Sequence, residues 1–210
     1  MKRKMSASLV MLVLIGMTSL AANASEQEKK PYRVGDVVEP FQLKDVNGKG
    51  YDLGKYLGEK IIVVDFWNFQ CPVSRGYEER LKALYDKFGP KKAEGTEEEK
   101  NAQAVFFVID SNEPNSEDAI KKYAEENKLP YAILKDWKNV IADKFGAGVT
   151  PETFVIGKDK KIQYHGSIDD SQNVEKVKEK YLQAAVEALL KGEKPAVSEK
   201  KSFGCSIKRI

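Results

Sequence analysis

The chain has 210 residues, with 35 Lys plus Arg against 32 Asp plus Glu, one His and two Cys. Its formal charge of +3 belongs to Lys2, Arg3 and Lys4; beyond residue 24 the two signs balance at 32 each, so composition offers no electrostatic case for nucleic acid or an acidic membrane surface. A chain of this length buries an adequate core without disulfide staples, and two cysteines are too few for a disulfide scaffold, which leaves a structural bridge or a redox pair.

The basic start is followed by a mostly apolar run from Leu9 to Leu20 and by Ala22-Asn23-Ala24, the small-residue pattern of a cleavage site. Residues 1–24 therefore read as a secretory signal peptide. The run is shorter than the ~20 residues that span a bilayer, and no cysteine follows the cleavage site to carry a lipid. The mature chain is expected to start near Ser25, to be exported to a periplasmic or extracellular space, and to have no stable membrane insertion. Between Phe41 and Leu53 two alternating stretches flank Asn47-Gly48, the signature of a hairpin. Ile61 to Phe66 is continuously apolar and β-branched apart from Asp65, as a strand buried on both faces requires. Leu81, Leu84, Tyr85 and Phe88 recur at helical spacing, which predicts a helix over 72–88 with Pro72 in its first turn.

Gly89 to Gln103 is rich in Lys, Glu and Gly and reads as a solvated insertion. Ala104 to Ile109 is a second buried strand, and Asn115 is the expected cap of a helix whose apolar face is Ala119, Ile120, Tyr123 and Ala124. A short strand is predicted at Tyr131 to Leu134 and a short helix around Val140, Ile141 and Phe145, stopping at Gly146. Thr153 to Ile156 and Lys161 to His165 form an antiparallel pair about Gly157-Lys158-Asp159-Lys160. Val174, Val177, Tyr181, Ala184, Ala185, Ala188 and Leu189 predict one last helix, ending before Gly192. Residues 34–191 form one domain on this reading, and residues 192–210 a tail that carries Cys205.

The chemistry concentrates at Cys71-Pro72-Val73-Ser74, where a buried strand turns into a helix. Unpaired N–H groups and the macrodipole at a helix N-terminus favour thiolate over thiol by about 0.3–2 kcal/mol. The thiolate is the nucleophile, so Cys71 is the expected reactive residue. Cys205 lies among Lys200, Lys201, Lys208 and Arg209 with only Glu199 opposing them, so its thiolate is also expected to be favoured. The fourteen residues from Lys191 to Gly204 span up to about 46–50 Å, which lets the tail reach Cys71 in its own chain or in a neighbour. A labile redox pair, a permanent bridge worth roughly 5 kcal/mol of loop closure, and an unpaired tail thiol all remain open.

Val64-Asp65-Phe66-Trp67 before Cys71, and Val149-Thr150-Pro151-Glu152-Thr153-Phe154-Val155-Ile156 later, resemble the active-site strand and the cis-proline loop of thioredoxin-like redoxins. The N-terminal hairpin is similar to that of the branch containing alkyl hydroperoxide reductases and thiol-specific antioxidants. Cys71-Pro72-Val73, Gly166-Ser167-Ile168-Asp169-Asp170-Ser171 and Gly204-Cys205-Ser206-Ile207-Lys208 resemble a peroxiredoxin-like subgroup of exported redoxins. The resemblance implies an α/β thioredoxin-like fold: a central mixed sheet flanked by helices, with an added N-terminal β-hairpin and a C-terminal tail. It also implies thiol–disulfide exchange with Cys71 as nucleophile and Cys205 as resolving thiol, on thiol and disulfide substrates, with an external thiol reductant and no cofactor.

Two departures bear on the chemistry. The usual second cysteine is Ser74, which cannot release a mixed disulfide by internal attack. Where the peroxiredoxin pattern has proline and threonine this chain has Val64 and Asn68, and the arginine expected near Pro151 is absent. Donors that stabilise a departing oxygen are worth a few kcal/mol in other enzymes, so thiol peroxidase chemistry with hydroperoxides, through the same cysteines, stands as the first alternative. A non-enzymatic binding module with a structural disulfide is the second. The resemblance makes Thr150-Pro151 a cis peptide that presents backbone groups to a substrate; Glu152 does not count among the site residues. Asp65 is a buried proton acceptor or a strand-end hydrogen-bonding group. Ser74 is placed to donate to the thiolate, and Asn68 to polarise a substrate. Phe66, Trp67 and Phe69 read as core, His165 as an ordinary strand residue, and two distant cysteines as a poor metal site.

Overall fold

The computed structural model describes residues 30–90 and 101–209. The expected signal peptide, and residues 91–100 of the charged insertion, lie outside the described residues.

β1 (Gln42–Asp45) and β2 (Gly50–Asp52) form the N-terminal hairpin. Asp45 closes its turn by accepting from the backbone N–H groups of Asn47 at 2.8 Å and Lys49 at 2.9 Å, and Gly48 takes the positive φ of +83° that favours glycine. β3 (Ile61–Phe66) is buried at every residue. α1 (Pro72–Phe88) follows it, then β4 (Ala104–Asp110), α2 (Glu117–Glu126) and β5 (Ile133–Lys135). α3 (Val140–Phe145) ends at Gly146 in the left-handed conformation. β6 (Val149–Thr150), β7 (Glu152–Ile156), β8 (Ile162–Gly166), α4 (Tyr181–Leu190) and β9 (Cys205–Ser206) complete the chain.

Seven strands make one mixed sheet in the order β2-β1-β5-β4-β3-β7-β8, with β3, β4 and β5 parallel and the other pairs antiparallel. Because side chains alternate along a strand, β3 serves two cores. Ile61 and Val63 meet Tyr77, Leu84 and Phe88 of α1 and Leu182, Ala185 and Val186 of α4. Ile62, Val64 and Phe66 meet Ile141, Ala142 and Phe145 of α3 on the other face. α2 joins the α1 face through Ile120, which clusters with Leu81, Val108 and Trp67. This is the expected thioredoxin-like arrangement, and it brings the C-terminal end of β3, the start of α1 and the β6–β7 loop together.

Two elements differ from expectation. Ser116, not Asn115, caps α2: its hydroxyl accepts from the Ala119 N–H at 3.2 Å. The Asn115 side chain is drawn away to Asp110 and Asn68. The last helix starts at Tyr181, not near Val174, which is 66% exposed and opens a single 3-10 turn, Val174–Lys176. Asp170 interrupts it by accepting the Lys178 N–H at 2.9 Å while its own N–H donates to the Glu179 carbonyl at 3.1 Å.

The tail is built into the fold. Its backbone runs beside β8, exchanging hydrogen bonds with His165 through Ser198 and Lys200. β9 then pairs antiparallel with β6, with Cys205 opposite Thr150. Ile207 is buried, and Arg209 reaches Asp143 Oδ1 at 2.9 Å and the Ala147 carbonyl at 2.7 Å. Gly166 and Gly204 make this course possible: a Cβ would stand 2.3 Å from the Lys200 carbonyl oxygen at Gly166, and 2.0 Å from that of Thr150 at Gly204.

Candidate active site

Cys71 is itself the N-cap of α1, with extended backbone and Pro72 at the first helical position. The cap follows from the local sequence: Asn68 accepts the Cys71 N–H on its carbonyl at 3.0 Å and the Gln70 N–H on its side chain at 2.8 Å, which turns the chain sharply out of β3. The thiol donates to the Thr150 carbonyl at 3.1 Å and accepts from the Ser74 N–H at 3.5 Å. The Thr150-Pro151 bond is cis. Both cysteines are free thiols, close enough that each influences the ionisation of the other.

The two sulfurs are driven in opposite directions. Burial resists ionisation of Cys71, but the Cys205 thiol, the Ser74 N–H, the Thr150 side chain and the Cys205 backbone together bring it below the ordinary thiol value. The Thr150 carbonyl, an acceptor, serves only the neutral thiol and is outnumbered. Cys205 is pushed up, first by burial and then by its hydrogen bond to Cys71 and the charge there. The expectation that basic neighbours favour a Cys205 thiolate is therefore corrected: Lys208 helps only as a minor influence, and Arg209 is committed to Asp143.

Asp65 lies on the α1 face of β3, 1% exposed, and neither carboxylate oxygen has a hydrogen-bond partner among the described residues. Burial pushes its value up to about 8. The alternative strand-end hydrogen bond is not made among the described residues. Ser74 touches the Cys71 sulfur through its backbone N–H; its buried hydroxyl has no partner in the described residues. Asn68 uses its side-chain oxygen on Gln70 and Asn115, so its contribution at this site is the shape of the loop. Trp67 and Phe66 are buried as expected, and Trp67 and Phe69 stack around Tyr123. No cluster of three or more metal-ligating side chains occurs among the described residues.

The structure adds groups that the sequence reading set aside or did not weigh. Glu152 braces the loop before Thr150 by accepting from the Gly148 N–H at 2.8 Å and the Val149 N–H at 3.1 Å, and its other oxygen meets His165 Nε2 at 2.6 Å. Its value is lowered: burial opposes ionisation, but His165 and the two N–H groups outweigh it. On the far side of the cysteines a buried polar network starts at Asn68 Oδ1, which accepts from Asn115 at 3.0 Å. Asn115 donates also to Asp110 at 2.6 Å, and Asp110 pairs with Lys135 at 3.2 Å with both side chains sealed from solvent. Asn112 continues it to the tail, accepting from the Lys208 N–H at 2.9 Å. The signal in the sequence was the mostly polar run from Asp110 to Asn115, at the carboxyl end of a parallel strand, where α/β sheets place their sites.

A model of the AhpC/TSA family matches residues 34–165. The chain belongs to the AhpC/TSA family. Over 158 residues it is 28% identical to the thiol-disulfide oxidoreductase ResA of Geobacillus thermodenitrificans, covering 74% of this chain and 80% of that one. Over 160 residues it is 27% identical to the chloroplastic peroxiredoxin Q of Gentiana triflora, covering 72% and 67%. Among solved structures, a conserved protein from Geobacillus kaustophilus superposes with a TM-score of 0.72 at 27% identity, over 84% of this chain and 92% of its own. A protein from Sinorhizobium meliloti 1021 gives 0.73 at 23% identity, over 86% and 97%, and supports the shared fold. Within this AhpC/TSA chain the matched segment ends at His165, so the tail that completes the cysteine pair lies beyond it.

Proposed function

We propose that the chain is an exported thiol–disulfide oxidoreductase in which Cys71 is the nucleophile and Cys205 the resolving thiol. The observation that carries this reading is the contact of two free thiols at a helix N-terminus, with donors gathered on Cys71 and a proton retained on Cys205. The Cys71 thiolate attacks one sulfur of a substrate disulfide, a Cys71–substrate disulfide forms, and the other substrate sulfur leaves as a thiolate that takes a proton from solvent. Cys205, giving up its proton, attacks the Cys71 sulfur and releases the second substrate thiol. The product is a Cys71–Cys205 disulfide, and two external thiols must restore the pair. On this reading Asp65, its value raised to about 8 on the α1 face, is the buried proton acceptor once ionised; Pro72, Ser74, Asn68, Thr150 and Pro151 position the sulfurs. Export rests on residues 1–24 and on the oxidising space in which such a pair has use; residues 34–191 are the working domain and 192–210 supply its second thiol.

One observation favours a second reading. Cys71 is 1% exposed beneath the tail, a setting that a small hydroperoxide enters more easily than a folded disulfide substrate. There the Cys71 thiolate attacks the terminal oxygen of the hydroperoxide, the O–O bond breaks and the other oxygen leaves as an alcohol after taking a proton; the Cys71 sulfenic acid then condenses with the Cys205 thiol, forming the disulfide and releasing water. The binding-module alternative is weakened because the chain's own tail occupies the β6 edge where a peptide would dock.

The test is Cys205→Ser in the presence of oxidised glutathione. A mixed disulfide that accumulates on Cys71 in the variant, and not in the parent protein, supports the resolving role. Equal behaviour of the two proteins, or no adduct on Cys71, contradicts it.

A further inference from the structure

The segment between β8 and α4 builds a cavity that the cysteine chemistry does not use. This loop closes on itself: the Asp170 N–H donates to the Glu179 carbonyl at 3.1 Å, Asp170 Oδ1 accepts from the Lys178 N–H at 2.9 Å, and the Leu182 N–H donates to the Ile168 carbonyl at 3.1 Å. Arg80 of α1 holds its near end. The guanidinium donates to Asp169 Oδ2 at 2.6 Å and to the carbonyls of Ser171 at 2.7 Å, Gln172 at 2.8 Å and Gly76 at 3.1 Å. Buried Asp169 also accepts from the Tyr77 hydroxyl at 3.0 Å and the Ser171 N–H at 3.1 Å. Between this braced loop, α1 and α4 there remains a cavity of about 400 Å³, a volume in the range of small-molecule sites. It is remote from the cysteines: its α1 residues, Arg80 to Lys87, lie about 14–24 Å along the helix axis from Cys71.

The lining separates into an apolar floor and a basic rim. Buried Leu84 and Ile168 form the floor, and the half-buried Val177 and exposed Val174 carry the apolar surface to the mouth. These two valines continue the apolar spacing of α4, yet the break before Tyr181 leaves them out of the core. Three cations, Arg80, Lys87 and Lys180, line the cavity against one acid, Asp169. Arg80 and Asp169 neutralise each other. Lys87 meets Glu187 at 2.7 Å in an exposed pair, a contact that holds it only weakly. The Lys180 side chain meets no acceptor among the described residues. The rim therefore offers about one unmatched positive charge beside an apolar surface that the fold leaves uncovered.

We propose that this cavity binds a small anionic amphiphile: a single carboxylate on an apolar chain of about eight to ten carbons. The chain lies over Leu84, Ile168 and Val177, and the carboxylate meets Lys180 with Lys87 beside it. Arg80 has its donors committed to the loop, so it shapes the wall and leaves the head group to the lysines. One unmatched charge suits one carboxylate, and the same charge rejects a cationic head. A concave site walled by two helices and a loop encloses a free molecule, whereas a bilayer surface meets only its rim.

The experiment titrates the full chain with sodium octanoate, sodium decanoate and octyltrimethylammonium at low ionic strength, read by calorimetry. Both carboxylates are expected to saturate one site, decanoate at least about fivefold tighter than octanoate because the added methylenes are buried, and the cation is expected not to bind. Lys180→Glu places an acid where a helix N-terminus favours one, so the fold is kept, and it should weaken octanoate at least about fivefold. Ala83→Trp fills the cavity from an exposed position of α1 and should abolish binding of both carboxylates. No saturable binding of either carboxylate overturns the proposal, as does equal affinity for the cation, or affinity unchanged in Ala83→Trp. Sedimentation with phosphatidylglycerol vesicles without binding of the free carboxylates assigns the patch to a membrane and also overturns it.

Discussion

The two cysteine-bearing segments touch, yet they are held in different ways. Cys71 is fixed by neighbours in sequence: the end of β3, the Asn68 turn and the first turn of α1. Cys205 is fixed by residues far away, through β6, the Asn112 side chain and the α3 region reached by Arg209. The first is a property of a strand-to-helix junction and survives wherever that junction folds. The second exists only while the tail is docked. This division explains why the same residue type ionises more easily at one position and less easily at the other. Cys71 collects donors from a helix end, and Cys205 meets a sulfur that becomes negative.

The largest effect that sharpens this comparison is on the Cys71 side. Asp65 has a folded value of about 8 against an ordinary value of 3.8, so the folded state binds the extra proton. Stability is therefore greatest below the unfolded value, falls as pH rises between the two values, and levels off above about 8. Asp65→Asn should flatten that slope and leave the variant relatively more stable at pH 9 by several kcal/mol. Urea unfolding across this range checks it; an unchanged slope would show that Asp65 is not the group that titrates there.

The next effect breaks the tail side alone. Gly204→Ala puts a methyl group 2.0 Å from the Thr150 carbonyl oxygen, so β9 must leave β6. We expect a loss of about 2 kcal/mol and faster alkylation of Cys71 by iodoacetamide, with the α1 junction preserved. An alkylation rate equal to that of the parent protein would show that the tail is not what covers Cys71. A smaller effect falls between the two regions. Glu152 has a depressed value, so the stability it contributes is present above the ordinary carboxylate range and is lost as pH falls through the folded value. Glu152→Gln should cost about 1 kcal/mol at pH 7 and remove that part of the acid dependence, read as the difference in Tm between pH 7 and pH 4.

The same division decides what was legible in the sequence. β3, the helix from Pro72 to Phe88, the hairpin about Asn47-Gly48 and the stop at Gly146 follow from apolar period and turn residues, and all of them are local signals. Cys71 was readable for that reason. The partners of Asn115 and Glu152 were not, because they depend on which strands become neighbours: Asn115 meets Asn68 across 47 residues, and Glu152 meets His165 across the β7–β8 pair. The break before Tyr181 was hidden because the apolar spacing continues across it while Asp170 takes the backbone. Cys205 was a candidate from its composition, but its basic neighbours pointed toward ionisation, and only the docked tail reveals that burial first, and Cys71 second, keep it protonated.

The most direct test of the central claim is a glutathione redox titration of the full chain, with the state of both cysteines read by mass spectrometry after alkylation. The account predicts a Cys71–Cys205 disulfide that forms and opens within the titration, at a potential above about −300 mV. A bridge that stays closed in the most reducing mixture, or two thiols that remain unpaired in the most oxidising one, would contradict it.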